Sequence, residues 1–124
     1  AGNNSELMHA ASAVVIKALK HLSGVPEDIP LLTPNVVESI AAMKKDILRV
    51  KSPSLDLDEM LIALAISATT NPAAQKAVGH LTQLSGCEYH TTHLPAAGDE
   101  AGLRRLGLNA TSDPRFATRS LVGE

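Results

Sequence analysis

The sequence predicts a helix-rich α+β fold, with about four to five helices around a central apolar helix and a small two- or three-stranded sheet. Three observations predict it. Apolar residues recur at helical spacing behind four cap-like starts, at Asn3, Thr33, Asp56 and Asn71. The 44% apolar content comes from Ala, Leu, Val and Ile, with Tyr89 and Phe116 the only aromatics. After Gly86 the chain turns to Thr, Tyr and His between a glycine and a proline, with no helical stripe.

The elements follow in order. Asn3 and Glu6 read as a capping-box variant, and Leu7, Ala11, Val14, Ala18 and Leu22 repeat at helical spacing, giving a first helix over about residues 4 to 22 that stops at Ser23-Gly24. "VPEDIPLL" holds two prolines and reads as a loop, with Ile29 to Leu32 as a short buried extended piece. Thr33 as N-cap and Pro34 at the first helical position start a second helix. Its stripe is Val36, Ile40, Met43 and Ile47, and it ends near Val50, before Ser52-Pro53.

Asp56 and Glu59 cap a third helix. Because Met60 to Ile66 are apolar on every side, this helix is expected at the centre and enclosed. Asn71-Pro72 repeats the cap-then-proline signal for a fourth helix, from Pro72 to Leu84, stopped by Ser85-Gly86. "CEYHTTHL" is a strand, Gly98-Asp99 to Arg105 a short helix ended by Gly107, and "LGLNAT" a second strand. The tail from Ser112 onward reads as loosely held. No internal repeat or low-complexity segment is visible.

With 124 residues and no composition break, residues 1–124 fit one domain. The chain opens on Ala1 rather than a methionine, which fits an excised piece of a longer protein. A net charge of −2 and the shortage of aromatics argue against nucleic-acid binding. A single cysteine, no signal peptide and no apolar run near the ~20 residues of a membrane span point to a soluble, cytoplasmic protein without a membrane partner.

"GCEYHTTHLP" invites a metal or nucleophile reading, and strand alternation argues against both. Cys87, Tyr89, Thr91 and His93 share one face, while Glu88, His90 and Thr92 share the other, so Cys87, His90 and His93 form no local metal trio and no metal is expected. His93 would lie roughly 20 Å from Cys87, too far to activate it, and a small buried cysteine is the default. Glu88 and His90 remain as a weak catalytic acid/base pair.

His9, His21 and His80 fall on separate predicted helices and receive no chemistry. Lys44, Lys45, Arg49 and Lys51 read as a solvated helix end. Arg104, Arg105, Arg115 and Arg119, mixed with Asp99, Glu100, Asp113 and Glu124, read as surface pairs. "SATTNPAAQK" places hydroxyls and an amide at a helix N-terminus beside two small residues. Thr69, Thr70, Asn71, Ala73 and Ala74 are therefore weak anion-site candidates, with plain N-capping as the simpler reading; by donor count the amides of Ala73, Ala74 and Gln75 lack intrahelical partners.

Taken together, "AASAVVIKALKHLSGVPEDIPLLTPNVVESI", "DEMLIALAISATTNPAAQKAVGHL", "GCEYHTTHLP" and "RRLGLNATSDPRF" resemble the C-terminal part of the bacterial domain-of-unknown-function family 1846, also called uncharacterised protein family 0371. The resemblance runs from about Ser5 to Phe116, and "LIALAISATTNP" is its most specific stretch. It implies a C-terminal domain of a several-fold longer protein whose N-terminal portion carries a glycine-rich stretch resembling a phosphate-binding loop. This chain has no such stretch and by itself calls for no cofactor. The resemblance leaves a nucleotide or phosphate ligand to the full-length protein. Two functions follow as expectations: a non-catalytic module that docks on the N-terminal portion or on a copy of itself, and a contributor of residues to an interdomain site for a phosphorylated or nucleotide substrate.

Overall fold

The computed structural model describes residues 8–50, 52–91 and 96–112. The chain runs through α1 (Ala10–Ser23), α2 (Pro34–Ala42) continuing into a π-helical turn at Met43–Ile47, α3 (Leu57–Ser67), α4 (Pro72–Gly79) with a 3-10 turn at Leu81–Leu84, β1 (Glu88–Thr91), α5 (Ala97–Arg105) and β2 (Asn109–Ser112). This is the helix-rich α+β arrangement that the sequence predicts. The two strands pair in parallel, Glu88 opposite Asn109 and Thr91 opposite Ser112, with α5 as the crossover between them.

α3 lies at the hub and touches α1, α2, α4 and α5. Its start follows the capping box: the Glu59 N–H donates to Asp56 Oδ1 at 2.8 Å, and the Asp56 N–H donates to Glu59 Oε1 at 2.9 Å. Leu57, Met60, Ala63, Leu64 and Ser67 form its inner face. Val15 and Leu19 of α1, Leu31 and Leu32 of the loop, Ala74 and Ala77 of α4, and Leu84, Tyr89, Leu103 and Leu108 pack around it. The alanines at the α3–α4 crossing leave little side-chain bulk between the backbones, which suits a core built without large aromatics.

Four expectations need correction. The first helix, α1, begins at Ala10: Met8 pairs as an isolated bridge with Leu55, and the His9 N–H donates to Leu55 O at 2.8 Å, so Met8 and His9 are extended rather than helical. Asn3, Glu6 and Leu7 lie outside the described residues. The buried stripe of α1 is Ala11, Ser12, Val15, Leu19 and Ser23, one position round from the predicted one, and Leu22 is exposed.

The second helix does not continue as α-helix to Val50. It widens into the π turn, where the Leu48 N–H bonds Met43 O at 2.9 Å, and Arg49 at φ 56° turns the chain out. The fourth helix likewise gives way at His80, whose φ of −102° and ψ of 0° separate α4 from the 3-10 turn. In the third correction Cys87 is exposed rather than buried, because the turn at Gly86, with φ 85°, leaves it one residue ahead of the strand ladder. The alternation beyond it holds: Tyr89 is buried while Glu88 and His90 are exposed. Thr92 and His93 are outside the described residues.

The fourth correction concerns α3, which is central but not enclosed. Ile62 is 58% and Ile66 48% exposed. No described helix is long and apolar enough to cross a membrane.

Candidate functional site

The uncovered side of α3 follows from its neighbours. At about 100° per residue, Glu59 and Ile66 lie within a few tens of degrees of each other, with Ile62 just beyond them and Asp58 on the far flank. Glu59 accepts from Lys44 Nζ at 2.7 Å, which ties that flank to the end of α2. Arg105 Nη2 sits astride the Asp58 carboxylate, donating to Oδ1 at 2.9 Å and Oδ2 at 2.8 Å, which ties the other flank to α5. Ile62 and Ile66 face outward between these two clamps.

Lys44 is not the solvated end that the charge run suggests. Its ammonium reaches back to Ser54 O as well, at 2.7 Å, and its side chain is largely covered. The π turn instead presents apolar groups: Met43, Ile47 and Leu48 are all more than half exposed, and a groove of about 230 Å³ beside them is lined by Ser39, Ile40, Met43, Lys44, Leu48 and Glu59. Glu59 belongs both to this groove and to the outer side of α3. The exposed apolar residues of the π turn and of α3 thus lie on either side of the Lys44–Glu59 pair, in a strip that this pair crosses and the Arg105–Asp58 pair borders.

The predicted anion-site residues sit together at the turn between α3 and α4, but their groups are engaged. Asn71 Oδ1 accepts from the Ala73 N–H at 3.0 Å, and the Gln75 N–H, expected to be free, donates to Asn71 O at 3.0 Å. The Asn71 amide donates to Pro30 O and Leu31 O at 3.3 and 3.4 Å, and the Thr69 hydroxyl donates to Ile66 O at 2.7 Å. Ala74 is fully buried, so its amide offers nothing to a ligand; Thr70 is exposed. Asn71 thus caps α4 and pins the loop between α1 and α2. A shallow groove of about 600 Å³ lined by Gly24, Val25, Pro26, Ile29, Pro72, Ala73, Gln75 and Lys76 runs alongside.

Glu88 and His90 share the exposed face of β1, as alternation places them. His90 Nδ1 lies 3.1 Å from Thr111 Oγ1 on β2, so its ring is held across the strand pair rather than against Glu88. Among the described residues no group of three or more His, Cys, Asp or Glu side chains could hold a metal ion.

The structure also assembles a pair that the sequence hides. Asp99, in the first turn of α5 and only 4% exposed, accepts from the Leu57 N–H at 2.8 Å through Oδ1 and lies 2.7 Å from His9 Nδ1 through Oδ2. His9 caps α1, Leu57 opens α3 and Asp99 opens α5, so three helix N-termini converge on one buried carboxyl group. An acidic group belongs where three positive dipole ends meet. Ninety positions separate His9 from Asp99 in sequence, and nothing local marks Asp99 apart from its neighbour Glu100, which pairs with Arg104 at 2.6 Å on the surface. Tyr89 is close enough to feel this carboxyl: burial pushes its phenol above the usual value of 10.0, the Thr91 hydrogen bond pulls the other way, and Asp99 adds to the rise.

The profile described as "Domain of unknown function DUF1846, C-terminal" matches residues 1–122. The chain belongs to the DUF1846 family. It is 40% identical over 120 residues to the UPF0371 protein of Clostridium botulinum strain 657, and 42% identical over 120 residues to that of Fusobacterium nucleatum. A further UPF0371 protein, from Clostridium botulinum strain Eklund 17B, is 41% identical. Each match covers 97% of this chain and 24% of the relative. The DUF1846 C-terminal domain described here thus spans about a quarter of the length of the curated relatives it matches.

Proposed function

We propose that this DUF1846 C-terminal domain is a docking module, non-catalytic by itself, that seats the apolar strip of Met43, Ile47, Leu48, Ile62 and Ile66 on the N-terminal portion of the longer bacterial protein. One observation carries the reading: α3 is apolar on every side, yet the described chain covers only its inner face. The curated relatives extend about threefold beyond the matched segment, and the matching profile is the C-terminal one, so the family supplies a large preceding portion as the occupant. The Arg105–Asp58 pair borders the strip and the Lys44–Glu59 pair crosses it, so charged groups punctuate an otherwise apolar surface.

The test mixes this chain with the separately produced N-terminal portion of the Fusobacterium nucleatum relative and follows size-exclusion elution. A one-to-one complex is expected for the parent chain and its loss for Ile62→Asp, which should remain folded because the side chain already faces water. An Ile62→Asp variant that binds as well as the parent overturns the reading. Self-association of the chain alone, abolished by the same substitution in sedimentation analysis, would assign the strip to a second copy instead. The alternative, in which Thr69, Thr70 and Asn71 bind a phosphorylated or nucleotide substrate at an interdomain cleft, draws less support, because most of the donors it needs are already bonded.

A further inference from the structure

We propose that His9 and Asp99 form a proton-accepting dyad, in which Asp99 fixes the imidazole with its proton on Nδ1 and Nε2 takes a proton from a hydroxyl or water that reaches the ring. The geometry carries the assignment. Asp99 is buried and its two oxygens are committed, Oδ1 to the Leu57 N–H at 2.8 Å and Oδ2 to His9 Nδ1 at 2.7 Å. A carboxylate has no proton to offer, so Nδ1 must be the donor and the ring's lone pair is placed on Nε2. The His9 side chain is 31% exposed, and Nε2 makes no hydrogen bond to any described residue. The ring is held on one side by a buried carboxylate while about a third of its side chain, 31%, is exposed, the arrangement by which a carboxylate orients a general base.

The pair is more than a tie between helices. An N-cap side chain ordinarily bonds the first amides of its own helix, whereas His9 makes no such bond and reaches across to α5 instead. Asp99 serves Leu57 with its other oxygen, so α3 is capped whether or not a histidine is present. In the transfer itself the O–H bond of the donor breaks, its electron pair stays on oxygen, and the N–H bond forms at Nε2. The ring then carries two N–H groups, the one on Nδ1 still donated to Asp99. The dyad lies apart from the docking surface and serves the longer protein, so the domain remains non-catalytic by itself.

The experiment uses this chain and needs no natural ligand. Ring-nitrogen NMR, at a pH where the imidazoles are neutral, reads the tautomer; carbethoxylation by diethyl pyrocarbonate, mapped by mass spectrometry, reads the reactivity of Nε2. The parent His9 should be in the Nδ1–H form and should react faster than His21, which is exposed on the last turn of α1. Asp99→Asn keeps the side-chain volume and an oxygen for the Leu57 amide, but turns an NH₂ toward Nδ1. The tautomer should reverse, and the His9 rate should fall about tenfold, the lower end of what losing a carboxylate behind a ring nitrogen costs. An Nε2–H tautomer in the parent, a His9 rate no greater than that of His21, or an unchanged rate in a folded Asp99→Asn protein would each overturn the dyad. The two parent measurements stand even where the variant does not fold.

Discussion

Truncating Leu64 and Ile66, two residues apart on α3, separates the inner face from the outer one. Leu64 is fully buried, so Leu64→Ala removes its transfer energy and leaves a cavity, a loss of about 3 to 5 kcal/mol. Ile66 is 48% exposed. At ~0.8 kcal/mol per buried methylene, with three carbons removed and half of that surface already in water, Ile66→Ala should cost about 1 kcal/mol. Lys44→Ala falls between, at about 2 kcal/mol, because it deletes two charged hydrogen bonds, to Glu59 Oε1 and to Ser54 O. Composition alone would have ranked Ile66 with Leu64 and put Lys44 last. Urea unfolding with an unchanged m-value gives the three differences directly. Equal losses for Leu64→Ala and Ile66→Ala would show that the outer face of α3 is covered within this chain, and the docking strip would fall with that result.

Two further outcomes rest on single contacts. Gly107 sits at φ 85°, and a Cβ there would lie 2.9 Å from Ser85 Cβ and 3.0 Å from Ser85 Cα, so Gly107→Ala should cost about 2 to 4 kcal/mol by thermal or chemical unfolding. Gly79, at the end of α4, has open space around it, and Gly79→Ala should be neutral or stabilising by up to about 1 kcal/mol; a loss there as large as at Gly107 would defeat the steric argument. Tyr89 holds its proton more tightly in the folded state, chiefly through burial, so its contribution is complete below the unfolded value of 10.0 and declines as pH rises through the higher folded value. Tyr89→Phe should therefore flatten the alkaline fall in stability above about pH 10, and parallel stability curves for the two proteins would contradict it.

The element order was legible in the sequence because each start and stop has a local cause. Asp56 and Glu59 close their capping box within four residues, Pro34 and Pro72 open helices by their fixed backbone, and Gly24, Gly86 and Gly107 take the positive φ that ends each segment. The alternation that buries Tyr89 and exposes Glu88 and His90 is equally local. Even so, local signals misplaced the start of α1, because Met8 and His9 satisfy their backbone against Leu55 rather than in a helical turn.

What only the tertiary structure decided is which side of an element faces what. Met60 to Ile66 carry no polar face to mark the outside, so the exposure of Ile62 and Ile66 depends on where α2 and α5 come to rest. Lys44 looked solvated because its partners, Ser54 and Glu59, lie beyond a turn that a charge run cannot foresee. Asp99 and Glu100 are adjacent acids in the first turn of the same helix, yet one is buried against His9 and Leu57 and the other faces water. Neighbours on a helix point about 100° apart, and only the packing of α1 and α3 against α5 determines which of them is enclosed.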